Sequence, residues 1–462
     1  MAKQTVNLGT SANKGDGDPL RTAFDKVNDN FDELYARDIN TDFSASVFGD
    51  DSTLLVDAVN NKIVGAVDTA SLTVSSINVA LGSNAGTDVG GLAQGAGSIA
   101  IGLNAGNSSQ NIESVAIGVN TGKTSQGEQS VAIGAYTAFT SQGNSAVAIG
   151  DRAGSTSQGD KTVAVGAYAG DDTQGTYAVA VGWEAGKTTQ GSTAIAIGYQ
   201  SGLTTQGNDA VAIGDIAGKT TQGQNAVALG YSAARTNQGI AAVAIGANTG
   251  LTNQGADAIA IGQNAGQTTQ GQNSVAVGKD AGKTTQSTNA VAVGGAAGET
   301  TQGEYAVAVG AAAGYLRQSD KAIAVGYTAG MTDQGIDAIA IGRQAAWDTQ
   351  GNKAVAVGYE AGNNNQGVAA VAIGTAAGYA NQAANSIVIN ASGGQVNNTQ
   401  ASSLVINPIR SATMTTILGY NAATGEVTHN AAIPGYTNTA DLKALVAAST
   451  DFADFQARIA AL

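Results

Sequence analysis

Cysteine is absent from this chain, which excludes a disulfide framework and a thiolate metal site. Three prolines in 462 residues exclude collagen and proline-rich linkers. The one histidine, His429, has no H-x-x-x-H partner and reads as structural or exposed. Charged residues are 12 % of the chain and the formal charge is −14, with no basic stripe to meet phosphates, so nucleic acid is not an expected partner. No apolar run approaches the length of a membrane span, and "MAKQTVNLGT" lacks a charged-then-apolar leader. A soluble product made in the cytoplasm without a signal peptide is expected, with any extracellular role reached by another route such as lysis.

What the chain has in abundance is glycine, 64 residues of it, set in a strict repeat. The glycine closing each V-A-I-G tetrad falls at Gly102 and at every sixteenth residue to Gly374, eighteen copies. A further tetrad ends at Gly82, four residues out of step, and a degenerate copy ends at Asn390 in phase. A fixed period of this length marks a solenoid with one repeat per rung. In "AVAIGDRAGSTSQG", residues 146–159, Val147 and Ile149 alternate with Ala146 and Ala148. Period-two alternation is a strand, and its aliphatic face is expected to form the rung's own core. Gly150, Gly154 and Gly159 punctuate the turns. "STSQ" reads as a second short strand, with Ser155 and Ser157 facing water, because their equivalents include Lys187, Trp347, Arg317 and Asp333, and with Thr156 and Gln158 inward.

One rung buries too little apolar surface to offset the ordering of its backbone, so stacking must supply the rest. The expected fold is all-β: a parallel β-solenoid of 16-residue rungs, roughly 85 Å long at cross-β spacing, with short helical segments at both ends. Gln110, Gln126, Gln142, Gln158, Gln174, Gln190, Gln206, Gln222 and each sixteenth residue to Gln382 form one column. Stacked primary amides both donate and accept, so the column is read as a structural glutamine ladder; a ligand-binding row would need it to face outward. Ala100, Ala116, Ala132, Ala148, Ala164, Ala180 and their successors to Ala372 are alanine throughout. Placed opposite the aliphatic face, a column held to small residues suggests a second backbone pressed against it, hence a homotrimer touching through these alanines. The alternative is a monomer whose tight rung merely suits alanine.

Five regions are expected: an attachment segment with a helix (1–40), a connector (41–75), the repeat shaft (76–390), a β cap (391–436) and a helical tip (437–462). In "DPLRTAFDKVNDNFDELYA", Asp18 suits an N-cap and Pro19 the first helical position. Leu20, Phe24, Val27, Phe31 and Leu34 then follow coiled-coil steps, as a seam or as an amphipathic face on a partner protein. A calcium loop at Asp16 and Asp18 is a weak alternative, and no cofactor or metal is expected. Phe452, Phe455, Ile459 and Leu462 repeat helical steps at the other end. Trp183, Tyr199, Tyr231, Tyr327 and Tyr359 share the position after the tetrad glycine, facing glycans or filling a groove between chains.

Three stretches carry a resemblance. "GDGDPLRTAFDKVNDNFDELYA" resembles the N-terminal segment of tail-fibre and other virion proteins of tailed bacteriophages, cyanophages included. "LVINPIRSATMTTILGYNAATGEVTHN" resembles the C-terminal region of phage fibres, there often followed by a self-cleaving chaperone domain that is not evident here. The V-A-I-G rungs resemble the heads of trimeric autotransporter adhesins, which are left-handed parallel β-rolls with mostly shorter repeats. The resemblance implies a trimeric phage fibre bound to a tail, baseplate or neck protein through residues 1–40. Its C-terminal tip would meet host surface polysaccharide or an outer-membrane component, and weak contacts would add by avidity. A head, neck or whisker fibre without a receptor role, or a bacterial surface adhesin, is the alternative. An ice-binding solenoid would need an unbroken outward threonine column, and the Thr156 column breaks at Asp172, Leu316, Asp348 and Asn364. Scattered Asp and Glu form no repeated pair, so no enzymatic activity is expected.

Overall fold

The computed structural model describes residues 78–86 and 94–409, together with 15, 22, 26–27, 47–48, 54–57, 62–63, 417–421, 423–430, 443, 446–448 and 450–460. The chain divides into two compact units, Met1–Ile77 and Asn78–Leu462. In the first, Val47–Phe48, Leu54–Asp57 and Lys62–Ile63 form a small antiparallel sheet with Val56 opposite Ile63. The sequence reading left this stretch as a connector, although "LLVDAVNNKIV" carries apolar runs around an Asn-Asn turn.

The second unit holds the repeats, and they form a parallel β-solenoid. Each regular sixteen-residue turn contributes a three- or four-residue strand such as Val147–Ile149, and most add a short strand such as Ser157–Gln158. The three-residue strands stack without slippage: Ala148 lies between Ala132 and Ala164. Their ladder counts 21 strands, from Val79–Leu81 to Leu404–Asn407. Its two ends are some twenty rungs apart, and no pairing joins them. The ladder also runs past the expected end of the shaft at Asn390, since Ile387 pairs with Leu404. The first part of the expected C-terminal cap is therefore one more rung, lengthened by one residue. The short strands stack in two runs, Ser125–Gln126 to Thr221–Gln222 and Asn253–Gln254 to Asn364–Gln366. Gln238 bridges to both neighbours across the gap between the runs.

The turns explain the glycines. Gly150 has φ +128°, and a Cβ built there would lie 2.7 Å from the Gly166 carbonyl carbon of the next rung. Only glycine permits both the dihedral and the approach. Each regular rung also places at least two non-glycine residues in the left-handed region, Arg152 (φ +53°) and Lys161 (φ +55°) in this one. Asn and Asp recur in these columns, as at Asn248, Asn264, Asp280, Asp209, Asn225 and Asp257, and they tolerate that conformation best after glycine.

The core is the reverse of the expected one. Ala148 and its column are wholly buried, as are Ala146, Ala153 and their equivalents, while Val147 and Ile149 point outward. The reason is width. Gln158 lies across the rung with its Nε2 2.9 Å from the Val147 carbonyl oxygen. With that amide between the strands, only a methyl fits opposite. Where the Ala146 column holds Ser or Thr, the hydroxyl bonds a turn carbonyl three residues back, as Thr162 Oγ1 does to Gly159 at 2.8 Å. Beyond the ladder, Ile417–Asn421 and Glu426–Asn430 form an antiparallel hairpin that places His429 opposite Leu418, and Phe452–Ala460 is a helix.

Candidate functional site: the glutamine core and the outward faces

The glutamine column is internal. From Gln158 to Gln382 each Nε2 donates to the next Oε1 at 3.0–3.2 Å, as Gln190 does to Gln206 at 3.1 Å. The same nitrogen also donates to carbonyls of the facing strand, Gln190 to Val179 at 2.8 Å and to Ala194 at 3.2 Å. The amide therefore ties successive rungs together and ties the two walls of one rung. The sequence pointed to the first role and missed the second. Toward the N-terminal end the amide chain is interrupted. Gln94 donates to Gln110 at 2.9 Å, but Oε1 of Gln126, Gln142 and Gln158 has no hydrogen-bond partner. An open depression of about 460 Å³ lies beside this stretch, lined by Gln110, Gln126, Gln142, Asn144 and Asp160 among others.

Ala100, Ala116, Ala132, Ala148, Ala164 and Ala180 do not form a contact face. All are fully enclosed by their own chain, so no second backbone can reach them. The residues that sequence reasoning placed inside form the outward face instead: Ile149 is 37 % exposed and Ile373 is 43 %. Period two shows that a strand has two faces and not which one is buried, so the tetrad alone could not assign them. Thr156 is also outward, alongside Ser157, and Ser155 is half-buried. At that short strand only the glutamine points in.

Trp183, Tyr199, Tyr231, Tyr327 and Tyr359 are all exposed. Trp183 and Tyr199 stack with ring centroids 4.9 Å apart and planes 13° apart. Arg343 lies over Tyr359, its guanidinium carbon 4.8 Å from the ring centroid. The neighbouring column adds a cluster that the sequence reading missed: Arg152 sits between Tyr136 and Tyr168, 5.6 and 5.8 Å from their ring centroids. Lys187 Nζ lies 4.9 Å from the Tyr168 centroid and 2.6 Å from Glu184 Oε1. Burial raises the Glu184 pKa, but hydrogen bonds from Lys187 and Gln200 outweigh it and hold the carboxyl below its ordinary value. Asp171 is shifted the other way, upward, by burial first and by the Asp172 charge second. Arg317 pairs with Asp333 on the surface.

Of the N-terminal helix residues, Val27 is helical and exposed. Leu20, Phe24, Phe31, Leu34, Asp16 and Asp18 lie outside the described residues. In the last helix Phe452 is exposed, Phe455 and Ile459 lie on its backbone, and Leu462 is outside the described residues. Among the described residues no cluster of His, Cys, Asp and Glu could hold a metal ion, and no helix is long and apolar enough to cross a membrane.

A family model described as the YadA head domain repeat matches residues 254–281 in two copies. The chain is similar to that repeat over less than two of its rungs. No curated protein and no solved structure matches it.

Proposed function

We propose that the chain is the subunit of a homotrimeric, adhesin-like fibre with a structural and attachment role and no enzymatic activity. The observation that carries this is the outward aliphatic stripe. The core is complete without it, yet it holds Val, Ile or Leu in all eighteen regular rungs. Two part-exposed aliphatics per rung make a strip on the order of 1,000 Å², against the few hundred Å² that a monomer ordinarily carries as one patch. Its partner must repeat at the same rung spacing along the whole length, and a second copy of this chain does so. Association through Val147 and Ile149 replaces association through the alanines. The match to an adhesin head repeat supports the same reading.

Two settings fit. The likeness of residues 15–36 and 404–430 to phage fibre segments favours a virion fibre anchored through its N-terminal segment, with the C-terminal end toward the host surface. The YadA head repeat match favours a bacterial surface adhesin equally. Sedimentation of the purified chain is expected to give about three times its 45.4 kDa. A variant with Ile197→Lys, Ile213→Lys and Leu229→Lys is expected to keep its β circular dichroism and fall to the mass of one chain. A wild-type chain sedimenting at its own mass overturns the fibre. Peptides of this chain in purified phage particles, or on the cell envelope without phage, separate the two settings.

A further inference from the structure

The position after the tetrad glycine reads Asp151, Ala167, Trp183, Tyr199 on four successive rungs. Backbone bonds link the residues that follow to this column, Tyr168 N to the Asp151 carbonyl at 2.8 Å and Gln200 N to the Trp183 carbonyl at 2.9 Å. Trp183 and Tyr199 stack nearly parallel, 4.9 Å apart, which is one rung spacing, so their planes lie across the solenoid axis. Tyr199 covers one face of the indole. The other face looks toward the rung of Ala167, whose side chain ends at Cβ. The next side chain along the column is Asp151, two rungs from Trp183, roughly 9.6 Å at cross-β spacing. The column therefore contains a notch one rung high, with an indole as one wall, a methyl as floor and an exposed carboxylate as the other wall. Arg152, exposed and braced between Tyr136 and Tyr168, stands at its edge.

We propose that this notch binds a neutral hexopyranose of a surface polysaccharide. A pyranose ring presents a flat C–H face that packs on an aromatic face at about 4 Å, and the rung whose side chain stops at the Ala167 Cβ leaves that thickness free. Its hydroxyls need an acceptor and a donor, and Asp151 and Arg152 supply one of each. Their charges offset each other, and Asp171, within electrostatic range of both, turns the surroundings against an acidic polymer. Stacking on Tyr199 fixes the indole before the sugar arrives, which lowers the ordering cost of binding. Trp183 is 41 % exposed and Tyr199 50 %, so the pair is not spent on the chain's own core. Many copies along a polymer would add by avidity, and to that extent the proposal rests on the fibre reading.

The test is affinity electrophoresis of the full chain in gels containing dextran, mannan or galactan, with hyaluronate as the acidic control. At least one neutral polymer is expected to retard the chain. Trp183→Ala is expected to weaken the apparent affinity at least tenfold, and so is Ala167→Phe, which fills the notch while adding an aromatic ring. Trp347→Phe, which alters the other tryptophan, is expected to change nothing. Retardation that survives both Trp183→Ala and Ala167→Phe, retardation by hyaluronate alone, or none by any of the three neutral polymers overturns the proposal. Sedimentation of each variant runs in parallel. A changed subunit number in Trp183→Ala means that the ring fills a contact between copies, and that also overturns it. A wild-type monomer that still shows Trp183-dependent retardation removes the fibre and leaves the notch.

Discussion

Replacing Gln206 with leucine isolates what the amide column contributes. The side chain is 1 % exposed, and leucine matches its bulk without its polar atoms. Gln206 Nε2 donates to Gln222 Oε1 at 3.1 Å and to the carbonyls of Ile195 and Ala210 at 2.8 and 3.2 Å. Its own Oε1 accepts from Gln190 at 3.1 Å. Leucine therefore strips Gln222 Oε1 of its donor inside a dry core, while Gln190 keeps the Val179 and Ala194 carbonyls as acceptors. A buried polar group left unmet costs about 1–3 kcal/mol, and the Gln222 side-chain carbonyl oxygen is that group. Gln142 is the internal control. It bonds the carbonyls of Val131 and Ala146 at 2.9 and 3.3 Å, but its Oε1 has no partner and neither adjacent glutamine bonds to it. Gln142→Leu robs no neighbouring amide, and Gln206→Leu is expected to cost about 1–3 kcal/mol more. Rungs are coupled mainly to their neighbours, so the loss appears as local opening. Hydrogen exchange by mass spectrometry, comparing residues 190–222 with 126–158, reads it together with the urea midpoint. Equal losses at the two positions would refute the ladder as a source of stability.

Three further outcomes follow from the same geometry. Gly214→Ala places a Cβ 2.5 Å from the Gly230 carbonyl oxygen at φ +129°, and a loss of about 3 kcal/mol or more in urea unfolding is expected. Ala212→Leu overfills a closed core, where a Cβ added at Gly218 would already lie 3.1 Å from the Ala212 methyl; it should cost about 1–3 kcal/mol or more, whereas Val211→Ala on the outward face should leave the rung folded, as protease resistance of each variant will show. Asp171 has its folded-state pKa raised above the ordinary 3.8, so its penalty to stability is absent below that value and complete above the raised one; Asp171→Asn should raise the melting temperature at pH 7 and not at pH 3, and the opposite pattern would reverse the sign of the shift.

The repeat length, the parallel stacking, the turn glycines and the inward glutamine were all legible, because each is written as a spacing or as a residue with one physical use. Orientation was not. Val147, Ala148 and Ile149 state that two faces differ, and the ordinary preference for burying the larger aliphatics pointed the wrong way. The distance between the walls of a rung decides it, and nothing within the tetrad encodes that distance. The clue lay eleven residues on, in Gln158: a long amide held inward in every copy leaves room for nothing larger than alanine opposite it. Thr156 was misplaced by the same logic, since strict alternation was extended through a strand only two residues long. Glycine standing at Gly154 as φ +55° was readable. The left-handed residues at Arg152 and Lys161 were signalled only by Asn and Asp recurring in their columns in other rungs.

The inversion has a consequence for how the repeat tolerates change. Inside, alanine is fixed by steric closure within one chain; outside, the aliphatics are fixed by nothing the chain itself packs. A deletion that respects the period disturbs neither. Removing residues 255–270 joins Gln254 to Gly271 and brings Ala244 beside Ala276 and Ile245 beside Val277, the same contacts that other rungs make. In a nearest-neighbour array the shortened chain loses about one rung's share of stability, and it should fold with an unchanged β spectrum and a ladder one strand short of 21. Removing residues 255–269 instead shifts the later rungs by one position. Side chains alternate, so holding the backbone pairing would drive Val and Ile inward against the glutamines and turn alanine out. That variant is expected to open at the junction and be cut there by trypsin or thermolysin, while the sixteen-residue deletion resists. If both deletions fold equally well, the faces are not set by closure of the rung, and the distinction between an alanine interior and an aliphatic exterior fails with it.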